Sequence, residues 1–320
     1  MFGIAQRTPL KSTTELKPES KKLLKRIIKS KYLILLLLPC LLYYIIFSYF
    51  PMWGVLIAFK NYKAYIGFTG SEWVGLKYFK LFFSSPDMFE LFRNTFLLGF
   101  YSLLWGFPFP LVFALVLNEV KILKFKKLVQ TISYMPHFLS TVVVVGLVQL
   151  FLSPTFGFVN QSLQKVGFEK IVFLQNPSYF RTIFISMGIW QNIGWGAIIY
   201  IAALSRIDPN LYEAAMIDGA NRFQKLAYIT LPCISPTIIT LFLLSTGEIL
   251  GVGFEKAFLM QNDAILSTAD VIQTYVWRQG LQRGNFSYAT AVGLFNSVIN
   301  LFFLILSNTL ARRYSDTSLW

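Results

Sequence analysis

Side chains able to carry chemistry are few and scattered in this sequence. There is one histidine, His137, just after Met135-Pro136, and one carboxylate, Glu248, inside a long apolar stretch. Cys40 and Cys233 lack the paired spacing of a zinc or redox site. No Gly-x-x-x-x-Gly-Lys-Ser/Thr loop is present to cradle phosphates, and no cluster of His, Asp or Glu marks a bond-breaking centre. The sequence does offer groups that stack and hydrogen-bond: Trp190-Gln191-Asn192 with Trp195, and Asn296-Ser297 with Asn300. Aromatic faces beside amides and hydroxyls are the combination that sugar sites use. Polar groups inside apolar helices are costly in lipid and face a bundle interior or a watery path. Trp190, Gln191, Asn192, Trp195, Glu248, Asn296 and Asn300 are therefore the candidates for a substrate path. The same residue types also serve structure, since amides join helices and tryptophans anchor at membrane interfaces. Glu248 is a gate or helix-pairing group if its apolar stretch is long, and an interfacial group if the stretch ends early. His137 is read as a partner for backbone or interface groups rather than for a proton or a metal, and no metal site is expected.

These groups must be positioned by elements that composition places in lipid. The chain has 320 residues, 55% hydrophobic and only 14% charged, with mean hydropathy +0.56. Soluble domains carry about a quarter charged residues. A crossing helix needs about 20 mostly apolar residues, and six stretches supply them: 33–50, 95–117, 132–152, 183–204, 234–254 and 289–310. The first follows a basic segment but is too long for a signal peptide, and no small-residue cleavage site follows it, so it reads as a retained anchor. The expected fold is all-α, with six transmembrane helices. The organisation is a basic tail (1–32), a first helix with its outer loop (33–94), a core membrane domain (95–310) and a short tail (311–320).

Lys and Arg number 18 over the 84 residues of both termini and the loops 118–131 and 205–232, against 11 over the 108 residues of the other loops. The positive-inside rule then puts both termini in the cytoplasm. The excess charge of +14 reports topology rather than nucleic acid. Lys21, Lys22, Lys25, Arg26 and Lys29 surround Leu23, Leu24, Ile27 and Ile28, which fits either a basic amphipathic helix on anionic lipid or a flexible topogenic tail. The aromatic loop 51–92 is suited equally to a partner protein and to the membrane surface.

The loop 205–232 reads as folded. Asp208 is a good N-cap, Pro209 suits the first helical position, and Gly219 can take the positive φ that ends a helix. Asn221 to Tyr228 reads as a second short helix, and Pro232 falls where the next span starts. The product is a helix, a glycine turn and a second helix beneath the membrane.

Glu213-Ala214-Ala215, three residues, Gly219, nine residues, then Ile229-Thr230-Leu231-Pro232 resembles the EAA loop of permease subunits of binding-protein-dependent ABC importers. Trp73-Val74-Gly75-Leu76-Lys77-Tyr78-Phe79, Arg93-Asn94-Thr95, Gly253-Phe254-Glu255-Lys256-Ala257-Phe258-Leu259 and Tyr288 to Asn296 are similar to the sugar branch, the maltose-permease-like, LplB-type oligosaccharide permeases. The resemblance implies the MetI-like, type I permease fold and a non-catalytic transport subunit in a bacterial plasma membrane. In that family the loop is a coupling helix that docks in a cleft of an ATPase subunit. Glu213, Ala214, Ala215, Asp218, Gly219, Ile229, Leu231 and Pro232 are the positions so implied. The chain itself would bind no cofactor, with ATP and Mg held by the ATPase dimer. Implied partners are that dimer, a second permease subunit or a copy of this chain, an extracellular solute-binding protein, the bilayer and an oligosaccharide or polysaccharide. Competing readings are an ABC permease for an amino acid, peptide or phosphate, and a secondary transporter, which would need more intramembrane charge than Glu248.

Overall fold

The computed structural model describes residues 30–314. The basic tail and most of 311–320 lie outside the described residues. The chain divides into two compact units, 1–56 and 57–320. Helix α1 (Tyr32–Phe59) begins in the first, where it exposes Leu36, Phe47, Phe50 and Trp53. Apolar side chains all round a helix suit a lipid surrounding.

In the second unit a two-residue antiparallel pairing joins β1 (Lys60–Asn61) to β2 (Glu72–Trp73), with Lys60 opposite Trp73. There follow α2 (Lys77–Phe83), α3 (Asp87–Glu119), α4 (Leu123–Phe138), α5 (Thr141–Leu152), α6 (Phe158–Lys165) and α7 (Pro177–Leu204). After these come α8 (Pro209–Ile217), α9 (Arg222–Gly247), α10 (Phe254–Met260), α11 (Ile272–Trp277) and α12 (Phe286–Tyr314). Among the described residues α1, α3, α7, α9 and α12 are each long and apolar enough to cross a membrane, and α4 with α5 is so only as a bent pair, a broken span or a re-entrant loop.

Three expectations are corrected. The third span is not one helix over 132–152: α4 and α5 meet at a bend of 103°. Leu139 and Ser140 are extended there, and the Ser140 hydroxyl accepts from the Val143 N–H, capping α5. A serine cap inside an apolar run restarts a helix where hydropathy sees none. The fifth span ends at Gly247 rather than 254. Glu248 follows it as an exposed capping residue, and Gly253 at φ +83° separates α10. The short helix expected over 221–228 is not separate, because a wide turn at Leu226–Thr230 carries it into the span.

Buried side chains tie the helices together in layers. Ala114, Ala197, Tyr200 and Ile234 join α3, α7 and α9 near the end that carries α8. Leu98, Val144, Phe184 and Ala257 join α3, α5, α7 and α10 further along. Phe82, Leu91, Ile272 and Val292 join α2, α3, α11 and α12. Small residues let these backbones approach, as membrane helix packing requires: a Cβ on Gly194 of α7 would stand 2.2 Å from the Ser133 carbonyl oxygen of α4.

Candidate functional site

The α8 loop is built from local rules. The Asp208 carboxylate accepts from the Asn210 N–H at 3.0 Å, and Pro209 opens the helix. Gly219 turns the chain at φ +77°, with the Ala220 N–H closing back to the Ala215 carbonyl at 2.8 Å. Asn221 and Gln224 then form a reciprocal capping box, at 2.9 and 2.8 Å, that starts α9. Beyond the turn, the Tyr212 hydroxyl lies 2.9 Å from that of Thr230, tying α8 to α9.

This small, well-closed structure shows an apolar surface. Ile217 is 87% exposed, Phe223 82% and Tyr228 80%. Glu213, Ala214, Asp218, Gly219 and Pro232 are exposed, and Ala215, Ile229 and Leu231 are half-buried. Among the described residues Glu213 makes no ion pair; the one present joins Arg278 to Asp270. Exposed rings and aliphatics beside an unpaired carboxylate are the surface chemistry found at interaction sites.

The second feature is a cavity of about 440 Å³ between α3, α7 and the end of α9. Its α3 wall includes Ser102, Leu103 and Gly106, within a five-residue turn wider than the α-helix, a distortion frequent at functional sites. Its α7 wall runs from Phe184 to Tyr200, α9 contributes Leu241 and Ser245, and Glu248 follows at the end of α9. An apolar lining with a few convergent polar groups is the usual form of a small-molecule site.

The expected path residues distribute unevenly. Asn192 and Glu248 line this cavity. Trp190 lines a separate apolar pocket with Phe151 and Met187. Gln191 donates to the Leu139 carbonyl at the bend, 3.2 Å away. Trp195 stacks on His137, centroids 4.5 Å apart, and His137 Nδ1 lies 3.0 Å from Asn192 Oδ1. His137 thus ties the bend to the middle of α7 through two side chains, Trp195 and Asn192, rather than through the backbone or interface groups expected of it. Asn300 accepts from the Leu250 N–H at 2.9 Å, and Asn296 is buried on α12; neither lines the cavity.

One cavity residue was not singled out from sequence. Lys256, on α10 outside the crossing helices, reaches the cavity, donates to the Phe184 carbonyl at 3.3 Å and sits 3.8 Å from the centre of that ring. Burial pushes its ammonium down to about 8. A lone lysine between Phe254 and Phe258 was the signal.

A model of the family described as "Binding-protein-dependent transport system inner membrane component" matches residues 19–316. The protein LplB of Bacillus subtilis is 46% identical over 292 residues, covering 91% of this chain and 92% of its own. The polygalacturonan/rhamnogalacturonan transport system permease protein YteP of the same organism is 44% identical over 304 residues, 95% of each chain. A chain of a bacterial alginate ABC transporter, solved in complex with an alginate pentasaccharide-bound periplasmic protein, superposes with a TM-score of 0.84 at 43% identity, covering 92% of this chain and 99% of its own.

Proposed function

Because the chain belongs to the family of binding-protein-dependent transport system inner membrane components, we propose that it is the permease subunit of an ATP-driven importer for an oligosaccharide or polysaccharide. It is a multi-pass membrane protein with the MetI-like fold of that family. On this reading the cavity between α3, α7 and α9 is this chain's half of the path, and a second permease subunit supplies the other half. Asn192 and Glu248 are its polar contacts. Solute reaches it from an extracellular binding protein, as the periplasmic protein in the alginate complex suggests. ATP and Mg belong to a separate ATPase dimer, and both termini lie on the ATPase side, in the cytoplasm. The polysaccharides named for two relatives, polygalacturonan/rhamnogalacturonan and alginate, favour a saccharide over an amino acid, peptide or phosphate.

The observation that carries the coupling role is the exposed, internally closed α8–Gly219 turn. Glu213 would pair with a basic group of the ATPase, Ala214 and Ala215 would permit close approach, and Ile217 and Phe223 would fill the cleft. The test is affinity purification of the tagged chain in mild detergent, with ATPase assays on wild type and Gly219→Asp. A side chain at positive φ costs about 1–2 kcal/mol and disturbs the turn. Co-purification of an ATPase subunit and a second permease, with loss of the ATPase or of coupled turnover in the variant, supports the reading. A chain that purifies alone in every detergent overturns it.

A further inference from the structure

Lys256 is a cation placed where its own fold does not neutralise it. Its ammonium spends one hydrogen bond on the Phe184 carbonyl and lies against that residue's ring, which leaves two of three donors free. Among the described residues no carboxylate stands within ion-pairing distance, 4.0 Å, of it. Glu248 lines the same cavity but is exposed and beyond that distance. The pocket for the ammonium is made by α7: a Cβ on Gly188 would come within 2.9 Å of Nζ. Two turns earlier on α7, Arg181 donates to the Asn94 side-chain oxygen at 3.1 Å and likewise has no carboxylate partner among the described residues. Burying an unpaired charge is costly. A site that keeps one beside a cavity gains most when an anion arrives, since hydration has already been given up.

We propose that the Lys256 ammonium recognises a carboxylate on the passing solute, so that this permease selects saccharides bearing uronic acids over neutral ones. This rests on the saccharide-import reading. Polygalacturonan and alginate, named for two relatives, are built from uronic acids. The carboxylate would accept from the free donors of Nζ from within the cavity, while Asn192 and Ser245 offer hydrogen bonds to hydroxyls.

The experiment uses the whole importer, with its permease partner, ATPase subunits and binding protein, in proteoliposomes. ATP-driven uptake of trigalacturonate and of its methyl ester is measured for wild type, Lys256→Gln and Lys256→Arg. The binding protein is common to all three, so a change in the acid-to-ester ratio belongs to the permease. The ratio is expected to fall about tenfold in Lys256→Gln, the ~1.4 kcal/mol of one charge-assisted hydrogen bond, and to recover in Lys256→Arg. If Lys256→Gln fails to assemble, Gly188→Ala displaces the ammonium without removing it and should lower the ratio too. A ratio unchanged in the assembled variant means that Lys256 only holds α10 on α7, and overturns the proposal while saccharide import stands. A wild type that takes up neither of these, nor an alginate trisaccharide, nor a neutral oligosaccharide such as maltotriose, overturns the saccharide reading itself.

Discussion

The hydroxyls of Tyr212 and Thr230, 2.9 Å apart, form a side-chain link from α8 to α9. Thr230 also donates to the Lys225 carbonyl, so the contact grips the wide turn at the root of a helix whose far end places Leu241, Ser245 and Glu248 at the cavity. On the proposed coupling role, a displacement of α8 would reach the cavity wall along this one helix, about 1.5 Å per residue. Tyr212→Phe should leave the ATPase bound in wild-type amount and lower binding-protein-stimulated ATP turnover roughly two- to tenfold, the ~0.5–1.5 kcal/mol of one hydrogen bond. Co-purification and turnover measured on one preparation check this; unchanged turnover removes the link from the mechanism.

Gly99 of α3 lies against the backbone after α9, where a Cβ would stand 1.6 Å from the Ile249 carbonyl oxygen. Gly99→Ala should destabilise the protein by about 1–3 kcal/mol, the usual cost of overpacking. Gly293 of α12 has nothing within 4 Å of its Cβ position, so Gly293→Ala should be neutral or stabilising by up to about 1 kcal/mol. Thermal unfolding in detergent should separate the two, and equal midpoints would contradict the packing described.

Asn94 accepts from Arg181 and donates to the Ser267 and Asp270 carbonyls, joining α3, α7 and the segment before α11. Asn94→Leu fills the space but leaves these groups unpaired, about 1–3 kcal/mol for a buried one. A lowered midpoint with accelerated hydrogen exchange at residues 263–272 is the expected result. Exchange unaltered in that segment would mean that the asparagine does not hold it.

At the α4–α5 bend, His137→Phe keeps a ring on Trp195 but loses the bond to Asn192, a loss of about 0.5–1.5 kcal/mol. Trp195→Ala removes the stack as well and should be worse by a similar amount. Limited proteolysis at residues 136–141 should rank the variants wild type, His137→Phe, Trp195→Ala. The reverse order would place the support of the bend elsewhere.

Much of this was legible in the chain itself, because lipid imposes long apolar runs and the α8 loop obeys local capping rules. Asp208-Pro209, Gly219 and Asn221 each act through neighbours two or three residues away, so spacing alone located them. The bend after His137 was not legible: Ser140 looks like any polar residue in an apolar run until its oxygen is seen accepting from Val143. The cavity was half legible. Asn192 and Glu248 stood out as polar groups among apolar ones, but Gln191 and Trp195 are spent on the bend and Asn300 on a loop amide. Those partners lie far apart in sequence. Lys256 escaped notice because its setting depends on Gly188 and Phe184, some seventy residues away.

The wide turn in α3 also keeps the helix in phase. Leu91, Thr95 and Leu98 are buried before it, Ala114 and Leu117 after it. At about 100° per residue, an unbroken α-helix would carry Ala114 roughly 140° round from Leu91, toward the wrong neighbours. The turn at Ser102–Gly106 absorbs one residue's worth of rotation, which brings Ala114 and Leu117 back to the face of Leu91 and Leu98. Deleting one residue here would turn the segment into plain α-helix with both buried faces still in phase, whereas the same number of residues wound as regular α-helix would point those faces about 100° apart. The cavity wall is therefore also the vernier that lets one helix serve three separate layers of packing.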